Sequence, residues 1–243
     1  MRRVLAAVVE LRPAGQATAV RVAAAALAAA FRPGQFAQVR AAPPGRWDPL
    51  LRRPAWIARV EGDDLWLLGL PEPARLGEPI DLLGPLGRPF AIAPNSRSIL
   101  LIGQNEGVAP LLALADQAIE RDLGVTLLAG FASAERALSA AWIAPQVEYL
   151  IATEDGSLGH HGSAVELVPE YLGWADELFA SGAADLPAAL SRAVAATSKP
   201  VQVALGGWRG CGTGLCGACA IRTGRGPARI CRDGPVFSLA DLA

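Results

Sequence analysis

Short apolar segments separated by turn residues run through the first 95 or so residues of the chain. Four of them are predicted strands: Phe36–Val39, Trp56–Val60, Leu65–Leu70 and Ile80–Leu83. The intervening turns are rich in glycine, proline and aspartate, as in Arg32-Pro33-Gly34, Pro43-Pro44-Gly45, Glu61-Gly62-Asp63-Asp64 and Gly84-Pro85-Leu86-Gly87. Closely spaced short strands of this kind predict a small antiparallel β-barrel over residues 1–95.

One stretch of the predicted barrel carries two conflicting signals. Ala23 to Ala30 is almost entirely alanine, which has the strongest intrinsic helix propensity. The same stretch lies where a barrel strand is expected. We predict a strand there.

From Ser98 the pattern changes to strands that alternate with helices. The predicted strands are Ser98–Ile102, Gly124–Ala129, Val147–Ala152 and Glu177–Ala180. The predicted helices begin near Val108 and cover Ala134–Ala141, Ser163–Leu172 and Leu186–Ala196. This alternation predicts an α/β domain with a doubly wound parallel sheet over residues 96–197. Residues 198–243 then form a small module rich in cysteine and glycine, with an apolar strand at Val201–Leu205.

Composition and charge narrow the class of protein. The chain has 243 residues, 52% of them hydrophobic, so it can bury a large core. Its formal net charge of −1 argues against nucleic acid as a partner. The longest apolar stretch, Val22–Phe31, is much shorter than the roughly 20 residues of a membrane-spanning helix. Glu10 interrupts the apolar run after Arg2 and Arg3 before it reaches signal-peptide length, so we expect a cytoplasmic protein without a membrane partner.

All four cysteines lie in the C-terminal module, which points to a metal site rather than to structural disulfides. Cys211, Cys216, Cys219 and Cys231 have the spacing C-x4-C-x2-C-x11-C, the plant-type arrangement for a [2Fe–2S] cluster. The glycines around the first three cysteines allow the backbone to wrap closely around such a cluster. A zinc site is the alternative, but four-cysteine zinc sites usually have two short cysteine pairs separated by a longer loop.

Several motifs resemble the electron transfer subunits of dihydroorotate dehydrogenase B, which belong to the ferredoxin-reductase-like flavoproteins. The resemblance covers essentially the whole chain. Its best stretches are Pro33-Gly34-Gln35-Phe36, Leu50-Leu51-Arg52-Arg53-Pro54, Gly84-Pro85-Leu86-Gly87, Gly107-Val108-Ala109-Pro110-Leu111, Glu154-Asp155-Gly156-Ser157, Gly210-Cys211-Gly212-Thr213-Gly214 and Cys231-Arg232-Asp233-Gly234-Pro235-Val236-Phe237.

This resemblance implies a non-catalytic or NAD-reducing subunit of a pyrimidine-biosynthesis complex, with a [2Fe–2S] cluster in the tail and FAD in the barrel. The FAD would lie at Arg53, Pro54, Ala55 and Trp56. The partner would be a catalytic dehydrogenase subunit that carries FMN, in a heterotetramer that passes electrons from dihydroorotate to NAD. A flavin can take up two electrons as a hydride and release them one at a time, and the cluster carries one electron at a time. No grouping of residues indicates substrate catalysis by this chain alone.

The chain departs from the family's motifs at four places. The flavin motif Arg-Pro-x-Ser ends in Trp56 instead of serine, so Trp56 is either a core residue or a ring that stacks on the flavin. The Gly-x-Gly-Thr phosphate turn is replaced by Leu68–Pro73, where Glu72 would repel a phosphate. The glycine-rich nicotinamide turn reads Gly103-Gln104-Asn105-Glu106-Gly107, and the expected Cys-Gly-Pro reads Ser181-Gly182-Ala183. Two alternatives therefore stay open: a related NAD(P) or ferredoxin reductase subunit, and a flavin-less homologue that carries the cluster as a scaffold.

Overall fold

The computed structural model describes residues 1–41, 51–70, 74–207 and 210–242. The predicted turn Pro43-Pro44-Gly45, the start of the Leu50–Pro54 stretch and the acidic Glu72 lie outside these ranges. None of the helices in the described ranges is both long enough and apolar enough to cross a membrane.

The N-terminal part of the chain is a closed six-stranded barrel, as the sequence predicts. Neighbouring strands follow the order β1-β2-β5-β4-β3-β6, and every pair is antiparallel. Alternating residues such as Val20, Val22, Leu65, Leu67 and Leu82 fill its interior because successive side chains of a strand point to opposite faces. The strands are β1 Arg2–Ala14, β2 Ala17–Ala23, β3 Phe36–Arg40, β4 Arg53–Glu61, β5 Asp64–Leu68 and β6 Pro79–Leu86.

The strand predicted over Ala23–Ala30 is wrong. Strand β2 ends at Ala23, and a single helical turn, α1 (Ala25–Ala28), follows it. The barrel closes without a strand over this stretch, because β1 pairs with both β2 and β6. The alanine run therefore adopts the conformation that its propensity favours, and Leu27 is buried against the barrel.

The second part of the chain is a seven-stranded sheet of order β10-β9-β8-β7-β11-β12-β15, parallel except for its edge strand β15. The remaining strands are β7 Ser98–Gln104, β8 Gly124–Phe131, β9 Glu148–Thr153, β10 His160–His161, β11 Glu177–Gly182, β12 Val201–Leu205, β13 Ala220–Thr223, β14 Gly226–Arg229 and β15 Val236–Ser238. The remaining α-helices are α2 Ala109–Ile119, α3 Val168–Tyr171, α4 Leu186–Ala193, α5 Ile230–Asp233 and α6 Leu239–Leu242. Helices cover both faces, as predicted for a doubly wound sheet.

The helix predicted over Ala134–Ala141 is also wrong. The structure has two short 3-10 turns there, Ala134–Arg136 and Ala140–Trp142, separated by extended backbone. Two tertiary contacts explain the break. The indole Nε1 of Trp142 donates to the carbonyl oxygen of Pro13 at 2.9 Å, and the Tyr149 hydroxyl donates to the carbonyl oxygen of Leu138 at 2.9 Å. Two further 3-10 turns, Asn105–Val108 and Ala164–Leu167, lead into α2 and α3.

The C-terminal module packs against both larger parts of the molecule. Its two-stranded hairpin, β13–β14, is followed by α5. Its strands β12 and β15 form one edge of the seven-stranded sheet. Phe36 and Leu86 of the barrel form one hydrophobic cluster with Cys219, Cys231 and Phe237 of the tail. The tail therefore packs against the barrel at β3 and β6, and β3 pairs with β4, which carries the residues predicted to bind a flavin.

Candidate functional site

The loop from Gly210 to Cys219 brings three of the four cysteines into one turn of backbone. Gly212 and Gly214 adopt φ angles of +74° and +81°, which are strained for any residue with a Cβ atom. Gly212 also has no room for a side chain, since a Cβ atom there would lie 2.5 Å from Cγ of Gln38. Cys231 reaches the same place from the start of α5.

The four thiols are arranged as two pairs. Cys219 and Cys231 are buried, and their Sγ atoms are 3.3 Å apart. Cys211 and Cys216 lie at the outer side, where the backbone amide of each one donates to the sulfur of the other at 3.3 and 3.4 Å. No three His, Cys, Asp or Glu side chains of the described ranges are grouped so as to hold one metal ion. Two thiolate pairs are what the two irons of a [2Fe–2S] cluster require, so this donor set fits that cluster.

Backbone amides point at the sulfur atoms. The amides of Thr213 and Leu215 donate to Sγ of Cys211 at 3.4 and 3.3 Å, and the amide of Gly214 donates to Sγ of Cys231 at 3.1 Å. Such bonds stabilise negative charge on sulfur and help to set the potential of a cluster.

The same environment changes the acidity of two thiols in opposite directions. Burial raises the pKa of Cys211, but the hydrogen bonds from Thr213, Cys216 and Leu215 outweigh it and lower this pKa to about 6. Burial and the neighbouring Cys219 thiol raise the pKa of Cys231 to about 12. The lowered pKa favours the thiolate of Cys211 at neutral pH, whereas Cys231 would give up its proton only when a metal binds to its sulfur.

The four residues predicted to bind a flavin line one cavity. Arg53, Pro54, Ala55 and Trp56 form a wall of a cleft of about 410 Å³, a volume within the range of small-molecule sites. Its other lining residues come from the barrel, from the turn after β7 and from the chain after β12: Ala17, Phe36, Leu68, Gly69, Leu70, Glu106, Gly206 and Gly207. Apolar rings, one arginine and exposed glycine backbone suit a planar flavin ring.

Phe36 connects this cavity with the cysteine module. It lies directly opposite Trp56 on the strand pair β3–β4, and it lines the cavity. The same side chain packs in the hydrophobic cluster that contains Cys219 and Cys231. Phe36 is therefore shared by the cavity wall and the hydrophobic cluster around the cysteines.

The altered nicotinamide motifs meet at the carboxyl ends of β7 and β11. A ligand of a doubly wound sheet binds in the crevice at such a point, where the strand order reverses. Ser181 is fully buried, and both its Oγ and Oε1 of Gln104 lack a hydrogen-bond partner among the described residues. Glu106 lines the cavity at Arg53–Trp56 and a second cavity of about 200 Å³, which Asn105 and Arg136 also line.

Three residues of the site were not predicted from the sequence. Gln38 donates through Nε2 to the carbonyl oxygen of Gly210 at 3.0 Å, and Arg229 donates through Nη1 to that of Gly214 at 2.7 Å. Gly206 approaches Trp56, since a Cβ atom at Gly206 would lie 3.4 Å from the indole ring. The available sequence signal for Gln38 is that it is a polar residue within the otherwise apolar segment Phe36–Val39.

The barrel, the doubly wound sheet and the paired cysteines give the chain a ferredoxin-reductase-like fold with a donor set that fits an iron–sulfur cluster. Residues 210–243 match the family model of the iron–sulfur cluster binding domain of dihydroorotate dehydrogenase B. The chain belongs to the family of dihydroorotate dehydrogenase B electron transfer subunits, because curated members match it at 30% identity or more over most of their length. One, the NAD(+) enzyme's electron transfer subunit of Geobacillus sp. (strain WCH70), is 35% identical over 228 residues, which are 86% of this chain and 86% of the relative. That of Listeria monocytogenes serovar 1/2a (strain ATCC BAA-679 / EGD-e) is 34% identical over 232 residues, with 86% of each chain covered.

Solved structures confirm the fold class. A chain of the NADH-dependent reduced ferredoxin-NADP oxidoreductase superposes with a TM-score of 0.84 at 22% identity, covering 98% of this chain and 89% of the other. The ferredoxin reductase of carbazole 1,9a-dioxygenase superposes with a TM-score of 0.69 at 21% identity, covering 83% of this chain and 68% of the other. As an electron transfer subunit, a chain of this family serves a catalytic partner subunit.

Proposed function

We propose that this chain carries electrons between the flavin of a dihydroorotate-oxidising partner and NAD, through a [2Fe–2S] cluster and an FAD of its own. Cys211, Cys216, Cys219 and Cys231 would hold the cluster, and Arg53, Pro54, Ala55 and Trp56 would hold the FAD. The observation that carries the proposal is that Phe36 lines the cavity and also packs in the hydrophobic cluster with Cys219 and Cys231. Electron tunnelling becomes steeply slower with distance, so adjacent sites suit this role.

The residues of the chain have separate tasks in this function. The flavin, when bound, supplies the exchange between hydride transfer and single-electron transfer. Arg53 offers a charge-assisted donor to a phosphate of the cofactor, and Phe36 and Trp56 exclude water from one side of the cavity. The backbone amides of the cysteine loop stabilise the added negative charge of a reduced cluster. A nicotinamide would approach from the crevice at Glu106.

The finer features of the complex are part of this proposal. The partner subunit carries FMN, the assembly is a heterotetramer, and the complex works in the cytoplasm. Residues 1–95, 96–197 and 198–243 are the proposed flavin, nicotinamide and cluster units. Strand Val201–Leu205 of the third unit pairs with Glu177–Gly182 of the second, so these two units share one sheet.

Cofactor analysis of the chain purified without oxygen, alone and with co-expressed partner, tests the proposal. We expect iron and acid-labile sulfide in equal amounts, FAD that denaturation releases, and bleaching of both chromophores by NADH. A colourless preparation that contains zinc would overturn the electron-carrier function. A cluster without FAD would identify the flavin-less scaffold, and reduction by NADPH or ferredoxin without a dihydroorotate-oxidising partner would identify the alternative reductase.

A further inference from the structure

Gln38 is a buried polar residue that connects the barrel to the cysteine loop. It lies in β3 and is 1% exposed. Its Nε2 donates to the carbonyl oxygen of Gly210 at 3.0 Å, across 172 positions of sequence. Gly210 directly precedes Cys211, so the hydrogen bond holds the peptide at which the cysteine loop begins.

The side chain of Gln38 is also in close contact with the loop. A Cβ atom at Gly212 would lie 2.5 Å from Cγ and 2.7 Å from Nε2 of Gln38. The peptides on both sides of Cys211 therefore rest on this one side chain. On the neighbouring strand β4, Pro54 of the proposed flavin motif is the residue paired with Gln38.

The amide oxygen of Gln38, Oε1, does not contribute to stability. It is buried and has no hydrogen-bond partner among the described residues. Burying an unpaired acceptor is unfavourable, and an apolar side chain of the same length would avoid that cost. Stability alone would thus favour methionine here, and the hydrogen bond to Gly210 is the contact that only the amide can make.

We propose that Gln38 is a positioning residue that fixes the height of the cysteine loop above the strand pair β3–β4. In doing so it fixes the distance over which electrons pass between the flavin cavity and the cluster. The inference rests on the proposed function, because it presumes that the chain holds both cofactors. Gln38 itself transfers no electron and contacts the loop rather than the reacting groups.

The test compares Gln38→Met with Gln35→Met in the complete complex. Methionine matches glutamine in length and removes only the amide. Gln35 is a matched control, because its Nε2 donates to the carbonyl oxygen of Gly87 at 2.8 Å, outside the cysteine loop. Stopped-flow absorbance after addition of NADH follows the passage of electrons from the flavin to the cluster, and hydrogen exchange reports opening of residues 210–219.

We expect Gln38→Met to keep its iron, sulfide and FAD but to pass electrons several-fold more slowly, since the rate of electron tunnelling falls steeply with distance. Amides of the loop should exchange faster, and Gln35→Met should match the wild type in both measurements. Gln38→Leu, which also removes the amide donor, should behave like Gln38→Met and serves if the latter does not fold.

Wild-type rates and exchange in both Gln38 variants would overturn the inference and leave the proposed function intact. A wild-type protein without cluster or FAD would instead overturn the proposed function. The cofactor contents of the wild type therefore separate the two failures.

Discussion

Arg59 of β4 and Asp116 of α2 form an ion pair with two parallel contacts, Nε to Oδ2 at 2.5 Å and Nη2 to Oδ1 at 2.8 Å. The same Nη2 donates to the carbonyl oxygen of Trp142 at 3.2 Å. Strand β4 begins with Arg53–Trp56, and α2 follows the turn Gly103–Gly107. This ion pair therefore fixes the cavity wall at Arg53–Trp56 relative to the crevice at the carboxyl ends of β7 and β11.

Removing this ion pair should destabilise the protein. We expect Arg59→Met to lower the free energy of unfolding by about 1–2 kcal/mol, because a partly buried Asp116 loses its charged donors. Arg59→Lys should recover only part of the loss, since an ammonium group cannot make both contacts. Urea unfolding under nitrogen measures the effect. Arg75→Met is the control, because Arg75 is exposed and lies 3.7 Å from Glu78, and an equal loss there would contradict the prediction.

The hydroxyl of Thr213 should tune the cluster. It bonds to the Cys211 sulfur and helps to lower the pKa of that thiol against the opposing effect of burial. Hydrogen bonds to sulfur stabilise the extra negative charge of the reduced cluster. Thr213→Val should therefore lower the reduction potential while the iron content stays unchanged. Thr223→Val is the matched control, because the Thr223 hydroxyl donates to the Gly226 carbonyl at 2.8 Å in the neighbouring hairpin. An unchanged potential in spectroelectrochemical titration of Thr213→Val would refute this role.

Asp81 should contribute stability that is lost in acid. Burial raises its pKa, but hydrogen bonds from Arg3 and Arg52 outweigh burial and hold the pKa below its ordinary value. A carboxylate with a depressed folded-state pKa stabilises the fold above its unfolded pKa of about 3.9 and stops doing so as pH falls through the folded value. Asp81→Asn should thus cost about 2 kcal/mol at pH 7, since two arginines lose their partner.

The cost of Asp81→Asn should shrink below about pH 4, where the wild-type carboxylate becomes protonated. Urea unfolding of both proteins from pH 3 to 7 gives this difference, and any effect of acid on the cluster is common to both. Asp63→Asn, at an exposed position in the turn after β4, is the control. A cost for Asp81→Asn that does not change with pH would exclude the assignment.

Gly87 should tolerate no side chain, for a reason beyond its backbone angle. Its φ is +79°, and a Cβ atom would lie 2.3 Å from Cδ of Pro235 in the tail. Gly77 has nearly the same φ, +78°, with open space around it. We expect Gly77→Ala to cost about 1–2 kcal/mol from backbone strain and Gly87→Ala about 1–3 kcal/mol more from the clash. Chemical unfolding of both variants checks this, and equal costs would show that the tail contact is unimportant.

The spacing of the cysteines and the alternation of strands and helices were readable from the sequence because both are local. The C-x4-C-x2-C spacing places three cysteines within one short stretch of chain, and the comparisons with relatives confirm the resemblance on which the assignment to a family was based. The strand Val201–Leu205 was predicted at its observed bounds for the same reason.

Contacts between distant segments decided the remainder. No strand was needed at Ala23–Ala30 because β1 pairs with both β2 and β6 and closes the barrel, and the break in Ala134–Ala141 depended on the Pro13 carbonyl that holds Trp142. The arrangement of β12 and β15 in one sheet, and the contact of Gln38 with Gly210, exist only once barrel and tail have packed. The sequence by itself determined the four cysteines proposed as cluster ligands, since three of them lie within one short stretch of chain. Only the tertiary structure decided how near they lie to the cavity at Arg53–Trp56, because that distance depends on packing between segments about 170 residues apart.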